Sequence, residues 1–129
     1  MSGLTLTIGP RRLAVCRLDA GAAVPDWFGA AGTPCALVRT EHELSLVAPQ
    51  DAVPDDVRAE RDWAVLAVEG PLDLALTGIL ATLSGVLARA GVPVFALSTF
   101  DTDLVLVPAA RRQEAVEALR RAGHAVLAS

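Results

Sequence analysis

Apolar and polar positions change period along the chain, and the second half reads most plainly. Trp63 to Val68 is a continuous apolar run with β-branched members, which predicts a buried strand. Glu69-Gly70-Pro71 breaks it. Leu76, Ile79, Leu80, Leu83, Val86, Leu87 and Ala90 follow at spacings of three and four, one apolar stripe on a helix. Gly91 and Pro93 stop that helix. Val94 to Ser98 predicts a strand, Phe100-Asp101-Thr102-Asp103 a polar turn, and Leu104 to Val107 a further strand closed by Pro108. Arg111 to Ala122 predicts a second helix, with Ala115, Val116, Leu119 and Ala122 inward and charges outward. Glu117 and Arg121 stand four apart there in the favourable order. Gly123 suits the position just past its end, and Ala125 to Leu127 is a short last strand. The order β-α-β-β-α-β predicts an α+β, ferredoxin-like unit whose antiparallel sheet carries both helices on one face.

The first half repeats the plan in worn form. Ala14 to Asp19 aligns with Ala64 to Glu69 at an offset of 50, and Glu43 to Val47 aligns with Asp103 to Val107 at an offset of 60. The difference of ten residues falls in the first helix, which shrinks to about one turn at Asp26 to Ala30. Val53 to Arg61 takes the place of the second helix, with Pro54 in its first turn. The expectation is two tandem lobes, a truncated one over residues 1–62 and a complete one over residues 63–129.

Composition narrows the classes of function. The chain is 53% hydrophobic, which excludes a disordered protein. Its formal charge of −4 argues against nucleic acid and anionic membrane as partners. All eleven basic residues are Arg. The longest stretch without charge, from Leu74 to Ala88, falls short of the roughly 20 residues that a membrane span needs. The N-terminus has no signal-peptide pattern, and a cytoplasmic location is expected. Cys16 and Cys35 lie in strand-like apolar runs and are expected to be buried, reduced thiols. His124 after Gly123 suggests a capping or surface role. No zinc, redox, Walker or Rossmann motif is present, so neither metal nor cofactor is expected.

The long helix is unusual on its other side. Thr77, Ala81, Ser84, Gly85 and Ala88 are small and uncharged, where a solvent-facing helix normally carries charge. That face predicts a second neighbour, either the other lobe or another chain.

One stretch carries a family resemblance. It comprises a Gly70-Pro71-Leu72 loop running into Thr77-Gly78-Ile79-Leu80, a helix exit Ala90-Gly91-Val92-Pro93, and Ser98-Thr99-Phe100-Asp101-Thr102-Asp103 before an apolar strand. Together these resemble the ACT domain family, and within it the branch of CASTOR-type amino-acid-sensing proteins. The resemblance covers about Trp63 to Leu127. It implies a non-catalytic regulatory module that binds a small effector, usually an amino acid, where lobes meet. It also implies assembly as a homodimer or higher oligomer, and a regulated protein as a further partner.

The residues suit that chemistry. An amino acid needs donors for its carboxylate, which backbone N–H groups at a helix start supply around Thr77, Gly78, Ile79 and Leu80. Gly78 lets a ligand approach the backbone closely. The ammonium needs acceptors, which Asp103 and Asp101 supply. Ser98 and Thr99 add hydroxyls, Phe100 can cover an aliphatic stem, and Leu72 lies on the preceding loop. Without the resemblance, Asp101-Thr102-Asp103 also reads as an ordinary polar turn, Gly78 as a packing glycine, and Asp73 as a helix cap. The alternative function is an interaction or scaffold protein that kept the fold and lost the ligand. An enzyme is disfavoured, because no Ser or Cys stands beside either His. The acidic residues Asp55, Asp56, Glu60 and Asp62 read as a solvated face.

Overall fold

The computed structural model describes residues 3–72 and 77–129. Asp73 and Leu76, read above as a possible cap and a stripe position, lie outside the described residues. In chain order the elements are β1 (Thr5–Leu18), α1 (Asp26–Gly29), β2 (Ala36–Arg39), β3 (Leu44–Pro49), β4 (Ala59–Val68), α2 (Ile79–Arg89), β5 (Phe95–Ser98), β6 (Asp103–Pro108), α3 (Arg112–Arg121) and β7 (Ala125–Ala128). Short 3-10 turns precede β4 at Gln50–Ala52 and α3 at Ala109–Arg111. The chain divides into two compact units, residues 1–10 with 64–129, and residues 11–63. The boundaries fall inside β1 and inside β4.

The first unit has the ferredoxin-like α+β order. Its strands run β7-β1-β4-β6-β5, and β5 pairs antiparallel with β6 from Phe95↔Leu106 to Ser98↔Asp103. Alternate strand residues Leu6, Ile8, Ala64, Leu66, Val68, Val105, Val107 and Val126 form one core with Ile79, Leu83, Val86 and Leu87 of α2 and Ala115, Ala118 and Leu119 of α3. Both helices therefore cover one face of the sheet. The α3 stripe differs by one position from the expected one: Ala118 is buried and Ala122 is exposed, because the helix ends at Arg121 and Ala122 is its cap.

Both helices end alike. After α2, Gly91 has φ +73°, and the N–H groups of Gly91 and Val92 donate to Ala88 O and Leu87 O. After α3, Gly123 has φ +97°, and Gly123 and His124 donate to Arg120 O and Leu119 O. This paired closure needs a left-handed residue that glycine adopts without a Cβ clash.

One strand is an addition to the expected plan. Thr5 to Ile8 pair in parallel with Ala125 to Ala128, so the sheet is not wholly antiparallel. Leu4, Leu6 and Ile8 alternate with Thr5 and Thr7, a period of two that ends before Pro10. His124 is buried, which corrects the expected surface role. Its Nδ1 accepts the Leu4 N–H at 3.0 Å, fixing the start of β1 against the start of β7.

In the second unit the order is β2-β3-β1-β4. β1 pairs antiparallel with β3 from Leu13↔Pro49 to Leu18↔Leu44, and β2 pairs with β3 from Ala36↔Val47 to Arg39↔Leu44. Ala14, Cys16, Leu44, Leu46, Ala48 and Val53 form the core, flanked by Trp27 and Phe28 of the one-turn α1. These two rings meet edge to face at 6.4 Å. The expected helix over Val53 to Arg61 is absent. Val57 N–H closes a turn onto Pro54 O, and β4 starts at Ala59. Half-buried Val57, Ala59, Arg61 and Trp63 alternate with exposed Asp56, Arg58, Glu60 and Asp62, a strand period and not a helical stripe. Cys16 is buried as expected, but Cys35 is exposed ahead of β2.

Candidate functional site

A hollow of about 360 Å³ lies in the first unit, lined by Leu72, Gly78, Ile79, Leu80, Ala81, Ser98, Thr99, Phe100, Asp101, Thr102 and Asp103. Nine of the ten residues proposed from sequence are brought together there. Thr77 is exposed just before Gly78 and does not line the hollow. Ala81 and Thr102 line it without having been proposed as site residues. Ala81 lies one turn along α2 from Gly78, and Thr102 completes the turn between two residues that were chosen.

The start of α2 forms one wall. Gly78 is its N-cap with φ +84° and ψ 0°, a left-handed conformation that disfavours any side chain. Its carbonyl accepts the Thr82 N–H at 2.8 Å. First-turn amides have no acceptor within their own helix, and they carry the positive end of the helix dipole. The Ile79 side chain belongs to the core, so this residue offers the hollow its backbone.

The turn from β5 to β6 forms the opposite wall. Thr99 N–H and Thr99 Oγ1 both donate to Thr102 O, at 2.7 and 3.1 Å, and Thr102 N–H returns a bond to Thr99 Oγ1 at 3.0 Å. The Thr102 hydroxyl donates to Val68 O at 2.5 Å, and Leu72 N–H donates to Asp101 O at 2.6 Å. The loop after β4 is thus tied to the turn. Gly70 makes this possible: a Cβ there would stand 2.9 Å from Asp101 O and 3.3 Å from Thr102 Cβ. Ser98 Oγ donates to Asp103 Oδ1 at 2.7 Å, which orients the half-buried carboxylate. Phe100 projects at the tip, 80% exposed.

The hollow therefore sets helix-start amides against the carboxylates of Asp101 and Asp103. It can receive an anionic group on one side and a cationic group on the other, within a size that ordinary small-ligand pockets share. Neither His nor Cys lines it, and the hydroxyls of Ser98 and Thr99 already donate within the turn. Among the described residues, no three of His, Cys, Asp and Glu come together as a metal site.

The class of protein is a small ferredoxin-like α+β domain with a hollow between α2 and the β5–β6 turn. The family model described as ACT domain matches residues 58–121, and this stretch of the chain belongs to the ACT domain family. A second model, described as an N-terminal domain, matches residues 12–56. A crystal structure of an Agrobacterium tumefaciens protein is similar at 32% identity with a TM-score of 0.91, covering 100% of this chain and 96% of that one. A Vibrio cholerae protein of unknown function, described as a possible transport protein, is 16% identical with a TM-score of 0.76, covering 94% and 91%. The ligand-free regulatory subunit of aspartate kinase from Thermus thermophilus is 12% identical with a TM-score of 0.61, covering 91% and 93%. At those two identities the likeness is one of fold. No curated protein matches the chain.

Proposed function

We propose that the protein is a non-catalytic regulatory module that binds a free amino acid in the hollow between α2 and the β5–β6 turn. The observation that carries the reading is the opposition of helix-start amides to the Asp101 and Asp103 carboxylates across about 360 Å³, because an amino acid is a small zwitterion. In this reading the first-turn amides and Gly78 receive the carboxylate. Asp103 takes the ammonium, assisted by Asp101. Ser98 and Thr99 hold the turn, and Leu72, Leu80 and Phe100 contact the side chain. Family membership supports a regulatory small-molecule role, as does the resemblance to an aspartate kinase regulatory subunit. The closer likeness to CASTOR-type sensors, a cytoplasmic location and a homodimer or higher oligomer are parts of the same proposal. So is the reading of residues 1–62 as a truncated lobe and residues 63–129 as an ACT domain in sequence, with the strand of residues 5–8 lent to the first unit. No described helix is long and apolar enough to cross a membrane.

The test is calorimetric titration of the purified, ligand-stripped protein with each of the twenty amino acids. A ligand present at a hundred times its dissociation constant adds about 2.7 kcal/mol of stability, which a parallel thermal-shift series detects. Binding by one or a few amino acids, lost in Asp103→Ala, is the expected result. Absence of binding by all twenty overturns the proposal.

A further inference from the structure

A second hollow, of about 280 Å³, opens where α2 and α3 come together, lined by Val86, Arg89, Ala90, Ala118, Arg121 and Ala122. Its two charged lining residues are both arginines. The first unit contains five arginines, and three of them have protein acceptors. Arg111 pairs with Glu114 and donates to Gly91 O, Arg112 donates to Gly9 O, and Arg120 donates to Val126 O. Arg89 and Arg121 have no acceptor among the described residues, and these two share the hollow.

Two ordinary roles for them are already filled. A cation in the last turn of a helix can serve the terminal carbonyls. Here Leu87 O and Ala88 O, and Leu119 O and Arg120 O, receive backbone N–H groups from the residues that close each helix. The favourable Glu117–Arg121 spacing is also unused: no ion pair joins the two among the described residues, and Glu117 Oε1 accepts from Gln113 Nε2 at 3.1 Å. Gly85 leaves room for the Arg89 guanidinium to lie back along α2, with Nη1 3.3 Å from where a Cβ would stand. The guanidinium forks retain unspent donors over a floor of valine and alanine side chains.

We propose that this hollow is a binding site for a small oxyanion, of phosphate or carboxylate chemistry, held by Arg89 and Arg121. Guanidinium presents paired N–H donors that match the two oxygens of either group. The four apolar lining residues leave no competing acidic side chain and accept a short apolar body attached to the anion. The site shares no lining residue with the first hollow and does not depend on what that one binds.

The experiment titrates the full-length protein with inorganic phosphate and, separately, with succinate at constant ionic strength, following the Arg side-chain NMR resonances and the melting temperature. Chloride at matched ionic strength measures simple screening. Saturable binding of either probe is expected, with Arg89→Gln and Arg121→Gln each weakening it about tenfold. Both substitutions lie on exposed helix positions and leave the unliganded melting temperature nearly unchanged, which the same scans verify. Preference for phosphate over succinate, or the reverse, assigns the source of the oxyanion. Shifts no larger than those with chloride, or affinity unchanged in the double variant, overturn the proposal.

Discussion

At the residue scale, charge and burial separate groups that look alike in sequence. Burial pushes the Cys16 thiol up, against a smaller opposing effect of the Arg61 charge, whereas Cys35 is exposed. A thiol reagent on the native protein is expected to label Cys35 promptly and Cys16 only on unfolding, counted by mass spectrometry. Asp62 is a second case. It adopts φ +64° within β4. Its carboxyl is held below the ordinary 3.8, chiefly by the Gln50 amide and then by the Arg12 guanidinium. Gln50 Nε2 and Arg12 Nη1 donate to Oδ1 at 2.9 and 3.0 Å. A lowered folded-state value means that the unfolded chain takes up the proton more readily. The contribution is therefore present above the ordinary value and is lost as pH falls through the lower, folded value. Asp62→Asn keeps a residue tolerant of the left-handed conformation. It is expected to lose less melting temperature than the wild type when scans at pH 5 are compared with scans below pH 3.8. Asp103→Ala removes only the Ser98 partner from the fold, a cost of about 1 kcal/mol, while removing the carboxylate proposed to take the ligand's ammonium. A melting temperature near that of the wild type, together with loss of amino-acid binding, is the expected pair of readings.

At the element scale, α2 joins the core to both hollows. Ile79, Leu83, Val86 and Leu87 bury one face, Gly78 opens the helix, and Gly91 closes it. Leu87 is fully buried, so Leu87→Ala is expected to cost about 2–5 kcal/mol in urea unfolding. Gly91→Ala forces a Cβ into a left-handed turn and is expected to cost about 1–2 kcal/mol. Most of α2 was legible, because a stripe spaced three and four apart has one structural solution, and so was the β5–β6 hairpin with its polar turn. The segment before Trp63 was read as a helix, although Val57, Ala59, Arg61 and Trp63 form the inward half of a strand. Alternation was hidden there because two of its inward positions are alanine and arginine, and burial of the arginine stem is a tertiary outcome. Arg61 donates to Pro54 O at 2.8 Å, a contact that no local pattern announces.

At the scale of the whole molecule, the chain does not divide at a single point. Residues 5–10 supply Leu6 and Ile8 to the core built by residues 64–129, and they pair with β7. A chain of residues 63–129 alone would leave β7 and β4 without the strand between them, an exposed edge that invites aggregation. It is expected to be less soluble and less protected in hydrogen exchange than the same residues in the full chain. Removal of residues 1–10 is expected to destabilise the first unit in the same way, read as early exchange of the β7 amides.

The amino-acid sequence by itself determined the elements of residues 63–129 and their order β-α-β-β-α-β, and together with the family resemblance it pointed to nine of the residues around the first hollow. It could do so because those features are local: a helical stripe, a glycine before a helix, and two carboxylates on one turn lie within a few residues of each other. The tertiary structure alone decided the place of the N-terminal strand, the burial of His124 against Leu4, and the clamp of Thr102 on Val68. It also decided that, among the described residues of the first unit, Arg89 and Arg121 are the arginines without acceptors. Each of these joins residues far apart in the chain, such as Leu4 with His124 and Val68 with Thr102. Pairing at such separation follows from which backbone and charged groups find partners once the core has closed.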